Sequence, residues 1–308
     1  MKNTVIVILS IVALTGCEKD LNSVHRDDRP QSPNTLSSQR DGHTDTYFGV
    51  TVADPYRWLE DDLSPETEDW IASQNTSTRS YIDAISLRED VKETVANLLN
   101  YERETAPFFE GGVRYFYRNT GLQSQSVLFK QDQNGTEQVF LDPNTFSDDG
   151  TVSMSGVSFS SDGSLVAYQL SEGGSDWRSI EVRDVQTGSV IESPLRDVKF
   201  SGIDWLGNEG FFYSSYDKPD GSELSAKTDQ HKLYFHAIGT PQSEDILVFG
   251  GTPEQKHRYV GADIGGDDRY LVITAANSTS GNKLFIKDLS LESDSLIPIF
   301  SDESADGS

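Results

Sequence analysis

Asp162-Gly163-Ser164-Leu165-Val166-Ala167-Tyr168 is a turn that delivers the chain directly into a β-branched and aromatic run, and the same unit returns along the sequence. Gly111-Gly112 precedes Arg114-Tyr115-Phe116-Tyr117, Asn208-Glu209-Gly210 precedes Phe211-Phe212-Tyr213, and Asp267-Asp268 precedes Tyr270-Leu271-Val272-Ile273. Gly, Asn and Asp supply tight reversals, while β-branched and aromatic side chains suit the pleated surface of a strand. The unit recurs roughly every 45 to 60 residues, the length of a propeller blade with insertions. Within the units, Ile180-Glu181-Val182-Arg183-Asp184-Val185 and Leu284-Phe285-Ile286-Lys287-Asp288-Leu289 alternate at the strand period and are expected to be outer strands of blades. The rival β-sandwich usually occupies about 100 residues and shows no such long-period return. The expected fold is therefore mainly β, an incomplete propeller of about four blades over residues 101–308. The sequence then runs into Ser301-Asp302-Glu303-Ser304 without a recognisable closing strand.

Upstream of Asn100 the pattern is helical. Ser64-Pro65 offers an N-cap and a proline at the first helical position, with Glu66 and Glu68 in the first turn, where the helix dipole favours acids. Trp70, Ile71, Thr78, Tyr81, Ile82 and Ile85 give an imperfect apolar stripe, and Val91, Val95, Leu98 and Leu99 a clean one, so two amphipathic helices are expected. Ahead of them, Asp54-Pro55-Tyr56-Arg57-Trp58-Leu59-Glu60-Asp61 is a dense aromatic and charged stretch expected to bury Trp58 and Leu59. Residues 18–45 are polar, with Pro30, Pro33 and many Ser, Asp and Arg, and read as a disordered tether.

At the amino terminus, Lys2 and the apolar run Val5 to Ala13 form an export signal too short to span a bilayer permanently. It ends in Leu14-Thr15-Gly16-Cys17, which resembles the lipobox of bacterial lipoproteins, where the thiol receives diacylglycerol. Cys17 is also the sole cysteine, so no intramolecular disulfide can form. The expectation is a signal peptide over 1–17 and a chain lipid-anchored through Cys17 in the cell envelope, periplasm-facing or on the outer membrane. The alternative is an accidental cysteine at the end of an ordinary signal peptide. With 50 acidic against 25 basic residues the formal charge is −25, so nucleic-acid phosphates and anionic membrane surfaces repel it.

Seven collinear strings from about residue 40 to 290 resemble the prolyl oligopeptidase family. They are Asp54 to Asp61, Gly121-Leu122-Gln123-Ser124-Gln125-Ser126-Val127-Leu128, Leu141-Asp142-Pro143-Asn144, Asp149-Gly150-Thr151-Val152, Gly174-Ser175-Asp176-Trp177, Val198-Lys199-Phe200-Ser201 and Gly239-Thr240-Pro241-Gln242-Ser243-Glu244-Asp245-Ile246-Leu247. The resemblance implies an α/β-hydrolase peptidase domain completed by an N-terminal helical segment, with a seven-bladed propeller inserted between its parts and restricting access to short peptides. Residues 46–100 would then pack on the hydrolase domain, and residues 101–308 would begin the propeller. By the same resemblance, Phe200 matches a propeller phenylalanine lining the pocket for a residue upstream of proline; as a plain sequence feature it is equally an ordinary buried strand aromatic. A basic residue that relatives carry near Leu271 to Leu284 is replaced here by Ala275-Ala276-Asn277-Ser278-Thr279.

No catalytic residue is assigned. No G-x-S-x-G nucleophile turn, H-E-x-x-H, Walker loop, G-x-G-x-x-G or Cys/His metal spacing occurs, so neither a metal nor a cofactor is implied. Gly173-Gly174-Ser175-Asp176 falls in blade sequence and reads as a surface turn, and His25, His43, His231, His236 and His257 read as surface or loop histidines. In the family the Ser, Asp and His follow the propeller, which places them beyond Ser308. The expected function is the non-catalytic front portion of a serine endopeptidase that cuts short peptides after proline, inactive alone. Short proline-containing peptides would bind only in the complete enzyme, and the missing C-terminal half or another chain would have to close the ring. A lipid-anchored propeller remnant that binds peptides or a partner without cleaving them is the alternative.

Overall fold

The structure is a computed structural model describing residues 36–219, 223, 228–265, 267–291 and 295–307. The expected signal peptide, Cys17 and most of the expected tether lie outside these residues. Within them, the Ser64 hydroxyl accepts the Thr67 N–H at 3.2 Å and Pro65 opens helix α1, Pro65–Asp83, as the capping chemistry requires. Helix α2 spans Arg88–Leu99. Before them a short hairpin pairs β1, Thr44–Tyr47, with β2, Val50–Ala53, around Phe48-Gly49.

The chain engages its neighbours from Ser38 onward, ahead of the boundary expected for the tether. Trp58 Nε1–H donates to Gln39 O at 3.1 Å, Trp70 Nε1–H to the Ser38 hydroxyl at 2.9 Å, and Asp41 N–H to Pro55 O at 3.0 Å. Trp58 meets Trp70 edge to face at 6.4 Å. Contrary to expectation, Trp58 and Leu59 are only half-buried, and the stripe of α2 faces solvent, with Leu98 71% exposed. Thr67 is the one buried residue of the two helices.

The remainder is four antiparallel sheets laid down in chain order. The first blade joins β3 (Arg103–Glu104), β4 (Phe108–Glu110), β5 (Val113–Asn119), β6 (Val127–Gln131) and β7 (Glu137–Leu141). The second holds β8 (Val152–Phe159), β9 (Leu165–Glu172), β10 (Trp177–Asp184) and β11 (Leu195–Lys199). The third holds β12 (Asp204–Leu206), β13 (Gly210–Ser215), β14 (Lys232–Ala237) and β15 (Ile246–Phe249). The fourth holds β16 (Tyr259–Gly265), β17 (Tyr270–Ala276), β18 (Lys283–Asp288) and β19 (Ile297–Phe300). The first strand of the third blade, β12, touches β8 on one side and β16 on the other, the radial arrangement of a propeller.

The turn residues recur because the blades touch through them. A Cβ on Gly163 would lie 2.6 Å from Gly111 Cα, and one on Gly111 would lie 2.8 Å from Asp162 O, so the first two blades approach closely only through glycine. Both also have positive φ, 72° and 55°. Asp162 Oδ1 accepts the Ser164 N–H at 2.8 Å, closing its turn. Expected outer strands β10 and β18 prove to be third in their sheets, each covered by a fourth, β11 and β19. Those last strands are too short and irregular to stand out, because both pairings contain a register shift. After β19 the chain turns back onto the β17–β18 connection, where Asn282 N–H donates to Ala305 O at 3.2 Å and Gly307 N–H to Asn282 Oδ1 at 2.8 Å.

The core lies between the blades. Ile180, Val182, Leu195 and Val198 meet Trp205, Phe211 and Tyr213 between the second and third, and Phe212, Leu233 and Phe249 meet Val260, Leu271 and Ile273 between the third and fourth. Tyr115, Leu128, Leu141 and Tyr168 fill the first seam. At about 25 cal/mol per Å² of apolar surface, these seams rather than the helices supply the burial that stabilises the chain.

Candidate functional site

Phe200 directly follows β11 and adopts φ 54°, a left-handed conformation that is an outlier for a bulky side chain. Such backbone strain costs on the order of 1–3 kcal/mol and persists only where the surroundings over-determine it. Here the flanking segment is tied down on several sides. The Lys199 carbonyl accepts from His231 Nε2 at 2.8 Å, and the Ser201 carbonyl accepts from Gln169 Nε2 at 2.7 Å. Ser201 Oγ accepts the Ser214 N–H at 2.7 Å, and the Ser215 hydroxyl donates to Asp197 O. Asp197 is itself left-handed, at φ 57°, in the irregularity that offsets β11 from β10.

The held segment presents an aromatic ring rather than burying one. Phe200 is 48% exposed, with Tyr216 edge-on at 6.3 Å and Tyr259 tilted at 6.1 Å. The Lys199 ammonium lies 5.3 Å from the Phe200 ring centroid and 4.9 Å from that of Trp177. The reading of Phe200 as a buried strand aromatic is thus not what the geometry shows. The three rings come from the second, third and fourth blades, a convergence that sequence order hides. Beside them a cleft of about 370 Å³ is lined by Trp177, Arg178, Arg196, Asp197 and Lys218.

The propeller histidines differ from expectation: His231, His236 and His257 are all buried. Each has a hydrogen-bond partner that satisfies the ring where water cannot reach it. His231 Nδ1 accepts the Val260 N–H at 2.8 Å while Nε2–H donates to Lys199 O, and burial pulls its pKa down to about 4. His236 lies between Asp245, 2.7 Å from Nδ1, and Glu192, 3.0 Å from Nε2. Burial alone would lower its pKa, but the two carboxylates override it and hold the ring protonated to about 9. Tyr213 OH donates to the other Asp245 oxygen at 2.6 Å.

The seven strings now have a physical reason. Gln125 takes the Met154 N–H at 2.9 Å, donates to Val152 O at 2.8 Å and exchanges backbone bonds with Asn144, sewing the first blade to the second. Gln242, from the Gly239 to Leu247 string, brackets the Arg196 backbone and so joins the third blade to the second, while Asp245 of the same string binds His236 within the third blade. Ser175 lies in the β9–β10 turn, where its hydroxyl accepts the Trp177 N–H at 3.1 Å, a turn-closing rather than nucleophilic role. Asp204 on β12 is pushed up to about 7 by burial and by Asp263 on β16. Among the described residues no group of three or more His, Cys, Asp or Glu could hold a metal ion, and no helix is long and apolar enough to cross a membrane.

A family model described as the N-terminal β-propeller domain of prolyl oligopeptidase matches residues 37–307. The chain belongs to the prolyl oligopeptidase family. It is 52% identical over 273 residues to the prolyl endopeptidase of Elizabethkingia miricola, covering 87% of this chain and 38% of that protein. Prolyl oligopeptidase A of Amanita bisporigera is 34% identical over 290 residues, covering 82% of this chain and 38% of its own length. Among solved structures, one from a mechanistic study of two prolyl endopeptidases superposes with a TM-score of 0.75 at 25% identity, covering 87% of this chain and 40% of that one. Prolyl oligopeptidase B of Galerina marginata, bound to a 25-residue macrocyclization substrate, gives a TM-score of 0.70 at 29% identity, covering 90% and 42%. The chain therefore spans about two-fifths of its prolyl oligopeptidase relatives and corresponds to their N-terminal, partial-propeller portion.

Proposed function

We propose that this chain serves as the non-catalytic front portion of a prolyl-oligopeptidase-type serine endopeptidase cleaving short peptides after proline, with the propeller gating substrate access. The observation that carries the reading is the match over residues 37–307 to relatives that extend well beyond it. The acylation chemistry requires a nucleophile, a base and an oxyanion site that the family plan assigns to sequence following the propeller. In this reading Phe200 contacts the peptide upstream of proline, and its exposure, strained backbone and flanking tyrosines support that role. The exposed stripe of α2 is then the surface that packs on the hydrolase domain. Cys17 carries the lipid anchor that places the protein in the cell envelope, resting on the Leu14-Thr15-Gly16-Cys17 string.

The chain alone is expected to give no turnover of a fluorogenic Gly-Pro substrate. Turnover that survives removal of host peptidases would overturn the proposal. For the anchor, Cys17→Ser is expected to abolish incorporation of labelled palmitate and release the protein from the membrane fraction. The rival, a propeller remnant that only binds, gains no support from matched relatives named as endopeptidases.

A further inference from the structure

Three rings converge at the candidate site from three blades, and one buried side chain touches the backbone or ring of each. His231 lies immediately before β14 in the third blade and is fully buried. Its Nε2–H bonds the carbonyl of Lys199, which belongs to the peptide group whose nitrogen is Phe200's. Its Nδ1 accepts the N–H of Val260, which belongs to the peptide group whose carbonyl is Tyr259's. Its ring stacks on Tyr216 at 4.3 Å and 23°.

The torsion φ of Phe200 is a rotation relative to the Lys199–Phe200 peptide plane. Holding the Lys199 carbonyl therefore holds the plane from which the left-handed turn at φ 54° departs. The bond to Val260 does the same for the plane that follows Tyr259. Because Val260 N–H can only donate, Nδ1 must be unprotonated, and the single ring proton sits on Nε2, where the Lys199 carbonyl receives it. Both bonds are thus made at once by a neutral imidazole in one tautomer. A charged ring would lose the Val260 bond and bury an unpaired proton.

We propose that His231 is the positioning residue of this cluster of three rings, a neutral imidazole from the third blade that sets the relative placement of Phe200 and Tyr259 from the blades on either side. The proposal rests on the reading of Phe200 as a peptide contact for its functional meaning, and on the hydrogen bonds for its geometry. Its consequence is specificity: the apolar side chain admitted upstream of proline is set by rings whose spacing His231 holds.

The test is solution NMR on the full chain at neutral pH. Long-range nitrogen–proton correlations of His231 are expected to show the Nε2–H tautomer; an Nδ1–H or doubly protonated ring overturns the proposal, and this measurement needs no variant to fold. His231→Phe keeps a ring against Tyr216 but removes both hydrogen bonds. It is expected to abolish the nuclear Overhauser contacts between the Phe200 and Tyr259 rings, whereas His231→Gln, with one donor and one acceptor, restores them. Unchanged ring contacts in a folded His231→Phe chain overturn the proposal. In a parallel arm, acetyl-Phe-Gly-Pro is titrated into the complete enzyme of which this chain is proposed to be the front portion, since the peptide is expected to bind only there, while the Phe200 and Tyr259 ring signals are followed. His231→Phe is expected to weaken binding by about tenfold and His231→Gln to recover it, as loss and return of a positioned aromatic wall imply. If the wild-type rings ignore the peptide, the substrate reading of Phe200 fails, while the tautomer and ring contacts still decide the role of His231.

Discussion

The helical segment and the second and third blades carry comparable apolar content to opposite effect. In α2, Val91, Val95, Leu98 and Leu99 form a regular stripe, and all four are exposed. In β9, β10 and β13, Ala167, Ile180, Val182 and Phe211 are fully buried. The difference lies in what stands opposite. The buried residues of these blade strands meet a neighbouring blade of the same chain, while the four residues of the α2 stripe stay 46–71% exposed. Amphipathicity records that a face is to be covered, not what covers it.

The sharpest way to break this contrast is in the seam. Phe211→Ala removes a fully buried ring lying 5.2 Å from Trp205, and is expected to cost about 3–5 kcal/mol in urea unfolding. A loss below about 1 kcal/mol would mean that the blades are not each other's core.

Next in size is the buried ion cluster between the same two blades. His236→Leu leaves Asp245 and Glu192 facing each other without the imidazolium, and is expected to cost roughly 3 kcal/mol. The His236 pKa is raised above that of an unfolded histidine, so its contribution is full below about pH 6.5 and lost as pH rises through about 9. Unfolding midpoints measured from pH 6 to 10 should fall across that window in the wild type and stay flatter in the variant.

Asp204 gives a slope of the same sign in a lower window, but here it is the ionised form that the fold disfavours. Its folded pKa of about 7 lies above the unfolded carboxyl, so the folded state loses stability as pH rises from about 4 to 7 and then levels off. Asp204→Asn removes the cost of ionising beside Asp263 and is expected to stabilise the chain by roughly 1–3 kcal/mol at pH 8. Equal midpoints at pH 8 would show that the acid is solvated there.

The smallest effect is expected on the helix. Leu98→Ser, on the 71% exposed stripe, should change stability of this chain by no more than about 0.5 kcal/mol while reducing self-association by light scattering. A loss of 2 kcal/mol or more would mean the stripe is already packed.

Much of this architecture was legible beforehand. The turn-then-strand unit marks β5, β9, β13 and β17, and Ser64-Pro65 marks the start of α1, because glycine turns, strand alternation and capping are local chemistry. The outermost strands β11 and β19 escaped notice because four or five residues interrupted by a register shift carry no clear period. The site was legible only at Phe200. Tyr216, Tyr259 and His231 carry no local signature, and the burial of His231 and His236 is hidden because their partners lie 9 to 44 positions away.

By itself, the sequence determined which segments turn, pair and cap, along with the family to which seven collinear strings point. Those properties depend on neighbours within a few residues, or on the order of strings along the chain. Only the tertiary structure decided that three blades bring three rings and one imidazole together, that Phe200 is strained and exposed, and that two carboxylates keep His236 charged. These depend on distances between residues far apart in the chain and on the exclusion of water, which exist only once the blades have packed.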